Sequence, residues 1–270
     1  MRLPCLLPCA LACTLVITPV LAQTPAGPAA ADWEGAVGLI AHHSPNYLGA
    51  SASRWHLNPG LFLRFGRFSI TTSGGFVTRR NDLVERGLTA ELIQRDDFLL
   101  SLSARFDGGR DAGSDTALTG LPDLRPTVRA RLSAVVNLSP AWRWSAAVSP
   151  DLLGRGGGVL VDTGLTYEWP LAPRLKAQIG LGTTWADRAY AQSYFGITPA
   201  QSQASGHAAY SARAGLRDVS ANAGLRIDLG PRWIGFAGVS ARALQGPSLA
   251  SPLVQQRSDW SANGGLAWRF

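Results

Sequence analysis

The last eleven residues of the chain, Trp260–Phe270, alternate between two kinds of side chain. The apolar or small set is Trp260, Ala262, Gly264, Leu266, Trp268 and Phe270, and the polar or small set is Ser261, Asn263, Gly265, Ala267 and Arg269. A period of two is typical of a β-strand with one apolar and one polar face. A terminus that frays in water gives no reason for an aromatic pair, whereas a transmembrane barrel pairs its last strand and carries aromatics at its rim. The segment therefore predicts the closing strand of such a barrel.

The first 22 residues have the organisation of a secretory signal peptide. Arg2 supplies a basic start, an apolar stretch follows, and Val20–Ala22 fits a small-x-small cleavage site. Prolines within the stretch argue against a membrane-spanning helix. A lipoprotein signal that ends at Cys13 is the open alternative. Residues 23–32, rich in Pro and Ala, then form a predicted N-terminal arm in the periplasm.

All three cysteines of the chain lie inside this signal segment. The mature chain is therefore expected to hold no disulfide and no thiolate metal site. The formal charge is +7 at pH 7, and Lys176 is the one lysine among 25 basic residues. Arginine-rich basicity suits nucleic acid, but an exported protein has little access to it, so arginine inside a barrel or on lipid phosphate is the better interpretation. Because no apolar run of about 18 residues follows the signal, no transmembrane helix is predicted.

Twelve alternating segments follow the arm and predict an all-β fold. They are residues 33–41, 55–65, 67–78, 87–95, 97–106, 126–138, 141–150, 158–169, 174–185, 216–229, 232–243 and 258–270. Short and long connections alternate strictly between them, so the short turns gather at one end together with both termini. Outer-membrane barrels have short periplasmic turns and longer outer loops, whereas the alternative, a soluble β-sandwich, gives no reason for this asymmetry. We therefore predict a single twelve-stranded antiparallel transmembrane β-barrel over residues 33–270.

The alternation also assigns side chains to the two faces of the barrel wall. Aromatic residues near the predicted short-turn ends would lie at the membrane interface; they are Trp142, Trp144, Trp169, Trp233, Trp268 and Phe270. The intervening residues would face the lumen, with Arg129, Arg131, Asp162, Glu168, Arg226 and Asp228 as the candidate lumen charges. Since both signs occur, we expect internal ion pairs with a stabilising role. Ile234 and Phe236 also fall on the nominal lumen face, which leaves the register of the eleventh segment open.

A group of polar residues just after the first segment is the main candidate for catalytic chemistry. His42, His43, Ser44 and Asn46 include the base, nucleophile and amide that a lipid-processing serine enzyme needs. Adjacent residues of an extended chain point to opposite faces, however, so His43 and Ser44 should diverge. A metal site at the two histidines lacks a third ligand nearby. We therefore predict no catalytic residue, no metal and no cofactor.

Three loop motifs and the terminus together resemble the MipA/OmpV family, the MltA-interacting outer-membrane proteins. The most distinctive run is Tyr194, Phe195, Gly196, Thr198, Gln201, Ser205 and Gly206. Further matches are Pro45, Tyr47 and Gly49 in the first long connection and Ser251 and Pro252 in the last. The terminal Trp268-Arg-Phe270 stands where the family has Tyr-Arg-Phe. Ala50 and Ser51 stand where the family has an acidic residue after the first-loop glycine, which removes support for a cation site there.

The resemblance implies an outer-membrane barrel without known catalytic chemistry that acts as a scaffold between a murein-cleaving transglycosylase and a murein synthase. Other expected partners are outer-membrane lipids, lipopolysaccharide and the barrel-assembly machinery, which would read Trp268 and Phe270. Arginines in the long connections would meet lipopolysaccharide phosphates; they are Arg79, Arg80, Arg110, Arg155, Arg188 and Arg257. A narrow pore for small solutes and a lipid-modifying barrel enzyme are the alternative functions.

Overall fold

The computed structural model describes residues 33–72 and 86–270, and this part of the chain is one closed antiparallel β-barrel of twelve strands. The strands are β1 (Trp33–Pro45), β2 (Ser53–Phe65), β3 (Phe68–Thr71), β4 (Gly87–Gln94), β5 (Phe98–Asp107), β6 (Thr127–Asn137), β7 (Trp142–Pro150), β8 (Val159–Ala172), β9 (Leu175–Ala186), β10 (Gly215–Asp228), β11 (Trp233–Leu244) and β12 (Ser258–Arg269). Each pairs with its neighbours in sequence, and β12 closes on β1. The predicted fold class is confirmed.

The period of two in the last strand becomes two faces of the barrel wall. Trp260 and Leu266 are exposed on the outside of β12, while Asp259, Ala267 and Arg269 are buried on the inside. The final residue is held as well, because the Phe270 N–H donates to the Gly35 carbonyl at 3.0 Å. Closure gives every strand two hydrogen-bonded neighbours. In the hydrocarbon core of a membrane no water is available, so backbone N–H and C=O groups must be paired in this way.

The observed strands follow the predicted segments with shifted ends. β1 continues to Pro45, beyond the predicted end at residue 41. β3 is described only as Phe68–Thr71, and the rest of the predicted segment 67–78 falls among residues 73–85, outside the described part. The predicted signal peptide and arm, residues 1–32, also lie outside it. Within residues 33–72 and 86–270, no helix has the length and apolar character needed to cross a membrane.

The eleventh strand keeps the nominal register, with Ile234 and Phe236 inside the barrel. Ile234 is paired with Asp228 of β10 and Ala267 of β12, and these three share the inner face. The side chain of Ile234 is almost fully buried, and it packs in an interior cluster with Ala36, Ile40, Phe62 and Ala267, against which Phe236 is also packed. Apolar residues on the lumen face therefore fill the interior of the barrel, which explains why alternation alone did not determine the register of this strand.

The two ends of the barrel differ. At one end, five connections of two to four residues join β2–β3, β4–β5, β6–β7, β8–β9 and β10–β11. At the other end, the long connections carry α1 (Arg188–Phe195), α2 (Pro199–Ser205), α3 (Gly246–Leu249) and two 3₁₀ turns, Ala112–Ser114 and Thr116–Leu118. The sequence analysis predicted no helix in these connections. Helices of four to eight residues are too short to show an apolar period.

Candidate functional site

The long loops pack together into one structure at the outer end of the barrel, which we call the cap. It consists of residues 46–52, 108–126, 151–158, 187–214 and 245–257. Two buried apolar clusters lie in it: one joins Tyr190, Ala191, Phe195 and Ala212 to the top of β9 and β11, and the other joins Leu118, Leu121, Ile197 and Leu253. Hydrogen bonds also join loops that are not neighbours around the barrel, since Asn46 Nδ2 of the β1–β2 loop donates to Asp115 Oδ2 of the β5–β6 loop at 3.0 Å. Within residues 33–72 and 86–270, the cap therefore extends over the outer mouth from the β1–β2 loop to the β5–β6 and β9–β10 loops.

The family-like run of the fifth long loop builds the centre of the cap. Phe195 ends α1 with only 1% of its surface exposed, and Gly196 turns the chain away from that helix. The Tyr194 ring stacks on Tyr190 with a centroid distance of 4.2 Å. Burial is the first cause that raises the pKa of the Tyr194 phenol, so the ring stays neutral. These residues act as packing groups.

The second half of the same run is a set of helix-end signals for α2. Thr198 is the N-cap: its hydroxyl accepts from the Gln201 N–H at 3.2 Å, and the Gln201 side chain accepts from the Thr198 N–H at 2.8 Å. This reciprocal pair is a capping box. At the other end, the Ser205 hydroxyl donates to the Gln201 carbonyl, and Gly206 adopts φ 77°, a left-handed conformation that favours glycine.

The first and last loops meet beside this helix pair. The Tyr47 hydroxyl donates to the Leu253 carbonyl at 2.9 Å, and the Ser251 hydroxyl donates to the Phe195 carbonyl at 2.6 Å. Gly49 has φ 92°, and its carbonyl accepts from two backbone N–H groups of the last loop. Burial, followed by the Asp115 carboxylate, raises the pKa of Tyr47 to about 12. The structure thus brings the three motif-bearing loops into contact, with Pro45 and Pro252 flanking the contact in the chain.

Buried arginines tie the cap to the barrel wall. Arg110 donates to the Tyr194 carbonyl at 2.7 Å, and burial lowers its pKa. Arg129 of β6 donates to Asp107 at 2.6 Å and to the Gly157 carbonyl at 2.6 Å. The expectation that Arg110 faces lipid phosphate is therefore wrong, because its side chain is sealed inside the cap. Arg155, Arg188 and Arg257 are exposed, and Arg79 and Arg80 lie outside the described residues.

Pairs of opposite charge line the wall of the lumen below the cap. The pairs are Arg131 with Asp162, Lys176 with Glu168 at 3.2 Å, Arg226 with Asp228 at 3.4 Å, Arg269 with Asp228, and Arg64 with Glu91 at 2.8 Å. The Arg64 and Glu91 side chains are the most enclosed of these, at 3% and 9% exposure. Because each charge is neutralised by a neighbour on the wall, the pairs stiffen the lumen.

The short turns present a different surface. Four of the five carry an exposed arginine: Arg67, Arg95, Arg174 and Arg232. Arg232 also lies over the Trp268 ring, 5.9 Å from its centroid. This feature cannot be recognised in the sequence, because each turn contributes one residue and only the barrel brings the four turns to one rim.

The candidate catalytic group separates in the structure. Ser44 is paired with Arg54 on the lumen face, whereas His43 is paired with Trp55 on the outer face, so the predicted divergence is confirmed. The neighbour that His43 does contact is Ser53, with 2.9 Å between Nε2 and Oγ. In residues 33–72 and 86–270, no three His, Cys, Asp or Glu side chains come together in a way that could hold a metal ion.

Comparison with known proteins gives one family and several barrels of similar outline. The family model described as MltA-interacting protein MipA matches residues 37–270. No curated protein matches the chain. An outer membrane channel from Pseudomonas putida F1 is 11% identical, with 92% of this chain and 100% of that chain covered and a TM-score of 0.45. The anion-selective porin from Comamonas acidovorans is 10% identical over 88% of this chain and 98% of that chain, with a TM-score of 0.42.

Proposed function

The chain belongs to the MltA-interacting protein MipA family, and from this premise we propose that it anchors a murein-cleaving transglycosylase to the outer membrane. The barrel itself lies in the outer membrane: its outer face is apolar, and aromatic residues such as Trp33, Trp142 and Trp233 stand exposed at the short-turn end. In this orientation the short turns reach the periplasm, where murein is made and cut. The murein synthase of the scaffold hypothesis would bind on the same side.

The arginine-bearing periplasmic turns are the observation that carries the proposal. Arg67, Arg95, Arg174 and Arg232 are exposed on one rim, around the barrel rather than at one point. Guanidinium groups form bidentate hydrogen bonds with carboxylates, so the rim is suited to an acidic surface on a partner protein. Exposed charges of this kind also speed and orient encounter with a partner of opposite charge.

The closed outer end supports the same proposal. The cap has its own apolar core and hydrogen bonds between loops that are not neighbours, and paired charges line the lumen wall beneath it. With the outer end occupied by the cap, the periplasmic turns are the surface available for binding a partner in the periplasm. We propose that the family-like residues of the three loops serve to build this cap.

Affinity capture with a charge-matched control tests the anchoring role. Purified protein in detergent is immobilised and exposed to an envelope extract, and the captured murein transglycosylase is quantified by mass spectrometry. Replacing the four rim arginines by Gln should weaken capture by about 1–4 kcal/mol in total, since an exposed ion pair contributes up to about 1 kcal/mol. The control replaces Arg155, Arg188, Arg213 and Arg257 of the cap, which lowers the net charge equally. Absence of the transglycosylase from the wild-type capture, or equal capture by both variants, refutes the proposal.

A narrow pore is the second candidate function, and the polar lumen is the observation in its favour. Charged side chains of both signs line the wall below the cap, as a path for small hydrated solutes requires. Single-channel recording in planar bilayers decides between the two. The anchoring proposal expects no steady conductance from the wild-type protein, and frequent stable openings would favour the pore.

Two further contacts remain proposals that follow from the same orientation. The exposed cap arginines Arg155, Arg188 and Arg257 would meet lipopolysaccharide phosphates on the outer side. Trp268 and Phe270 would present the terminal signal to the barrel-assembly machinery before the barrel closes. Detergent sensitivity of cells that carry Ala at the three arginines tests the first contact, and the assembly yield of a Phe270→Ala variant tests the second.

A further inference from the structure

A hydrogen-bonded His–Ser pair lies on the lipid-facing surface of the barrel, apart from the cap, the lumen and the periplasmic turns. His43 is near the outer end of β1, and Ser53 begins β2 on the same outer face. The distance between His43 Nε2 and Ser53 Oγ is 2.9 Å. A serine hydroxyl within hydrogen-bond reach of an imidazole is the arrangement from which an activated nucleophile is made.

His43 and Ser53 differ in how far their side chains are exposed. His43 is only 7% exposed, because Trp260 stacks on its ring at 4.3 Å and Trp55 lies beside it at 5.1 Å. Ser53 is exposed. Among the described residues, His43 Nδ1 is buried without a hydrogen-bond partner. The structure therefore encloses a base between two indole rings and leaves the hydroxyl that it contacts open to the surroundings.

The depth of the pair in the membrane points to the class of substrate. Trp55 and Trp260 are exposed on the outer face at the end of the barrel opposite Trp33 and Phe270. Tryptophans in such positions lie at the level of lipid headgroups, and the acyl ester groups of glycerolipids lie next to that level. We propose that Ser53 and His43 form a catalytic pair that cleaves an acyl ester of a glycerophospholipid in the outer leaflet.

The reaction uses water as its second reactant. Ser53 Oγ bonds to the acyl carbon while its proton passes to His43 Nε2. The bond between the acyl carbon and the glycerol oxygen then breaks, and Nε2 returns the proton to that oxygen, which leaves as an alcohol. Water attacks the acyl-serine with His43 again accepting and returning the proton, so that a fatty acid is released and Ser53 is restored.

The two indole rings take over tasks that a carboxylate performs in other serine enzymes. Stacking against Trp260 fixes the ring plane, so Nε2 stays directed at Ser53 without a partner at Nδ1. When Nε2 gains a proton, the imidazolium faces the negative π-surfaces of Trp260 and Trp55, which stabilise a cation in a dry site. The tautomer that accepts the serine proton carries its own proton on Nδ1.

A covalent probe and a lipid substrate test the pair in the full-length folded protein in detergent micelles. A biotinylated alkyl fluorophosphonate, which reacts with activated serines, should label Ser53, as located by peptide mass spectrometry. Ser53→Ala should abolish the label. His43→Phe preserves ring stacking but removes the base, and should slow labelling by about 10²-fold or more. The matched control is Ser44→Ala, which changes a serine on the lumen face and should label as wild type.

The substrate is tested with dioleoylphosphatidylethanolamine in mixed micelles, with release of oleate as the readout. Wild type and Ser44→Ala should release oleate, and Ser53→Ala should not. Folding of each variant is checked by the change in electrophoretic migration on heating. A folded wild-type protein that is not labelled at Ser53 overturns the proposal. Oleate release that is equal in wild type and Ser53→Ala, or labelling without any release, also overturns it.

Discussion

Replacing Phe195 by Ala should loosen the cap without opening the barrel. The Phe195 ring is 1% exposed and packs with Tyr190, Ala191, Ala212 and Leu244. Truncating a buried Phe to Ala costs about 3–5 kcal/mol, through lost burial and the cavity left behind. The wall residues of that cluster, Ala186 and Leu244, lie at the outer ends of β9 and β11. The loss of stability therefore falls mainly on the local opening of the cap.

The magnitude follows from the opening equilibrium. Since about 1.4 kcal/mol is a factor of ten, a loss of about 3–5 kcal/mol should raise the open fraction of the cap by about 10²-fold to a few thousand-fold. The rate of tryptic cleavage measures this opening. Arg188 begins α1 and Arg213 follows buried Ala212, so both side chains are exposed while their backbone is held by the cap. The expected result is rapid cleavage at these arginines, while the barrel strands remain protected.

A variant in the same loop supplies the control. Gln203 of α2 is exposed, and its replacement by Ala should leave tryptic cleavage at the wild-type rate. If Phe195→Ala is cleaved no faster than Gln203→Ala, the cap is not held by its apolar core, and the reasoning from buried area is refuted. The same variant in planar bilayers shows whether the cap or the charged lumen limits conduction.

Three further predictions concern the helix N-cap at Thr198, the ionisation of Tyr47 and the buried ion pair of Glu91. Thr198→Ala removes half of the capping box and should raise cap opening by about 1 kcal/mol, seen as a cleavage rate about five-fold faster than that of Gln203→Ala. Because the folded pKa of Tyr47, about 12, lies above its unfolded value of about 10, its contribution is complete below pH 10 and is lost as the pH rises toward 12. Cleavage should therefore rise over this window in wild type and less in Tyr47→Phe. Glu91→Gln should destabilise the barrel by about 1.5–3 kcal/mol, since it removes the nearer of the two carboxylates beside buried Arg64 and leaves Glu34 at 4.0 Å. Urea unfolding in lipid vesicles measures this, and an unchanged midpoint would contradict it.

The wall of the barrel could be predicted because one simple rule repeats along it. Most outward positions are apolar, so segments such as Val128–Leu138 and Leu175–Trp185 can be identified by their period of two. Alternation of connection lengths then gives the orientation. Ile234 shows the limit of the rule, because a barrel filled by side chains accepts apolar residues on its inner face as well.

The cap could not be predicted to the same degree. Its residues were identified by family resemblance, but their contacts join positions far apart in the chain, such as Tyr47 with Leu253. Arg110 was misplaced for the same reason: a lone arginine in a loop carries no local sign that another loop will cover it. Ser53 could not be identified from the sequence as the neighbour of His43, because strand pairing brings together residues ten positions apart.

The pairing of β12 with β1 sets the order of events during biogenesis. Ala36 is paired with Arg269, so the first strand to leave the translocation channel waits for the last one synthesised. A chain without β12 would leave unpaired edges on both β1 and β11, and exposed edges in hydrocarbon are strongly unfavourable. The barrel can therefore close only after its last strand has been synthesised.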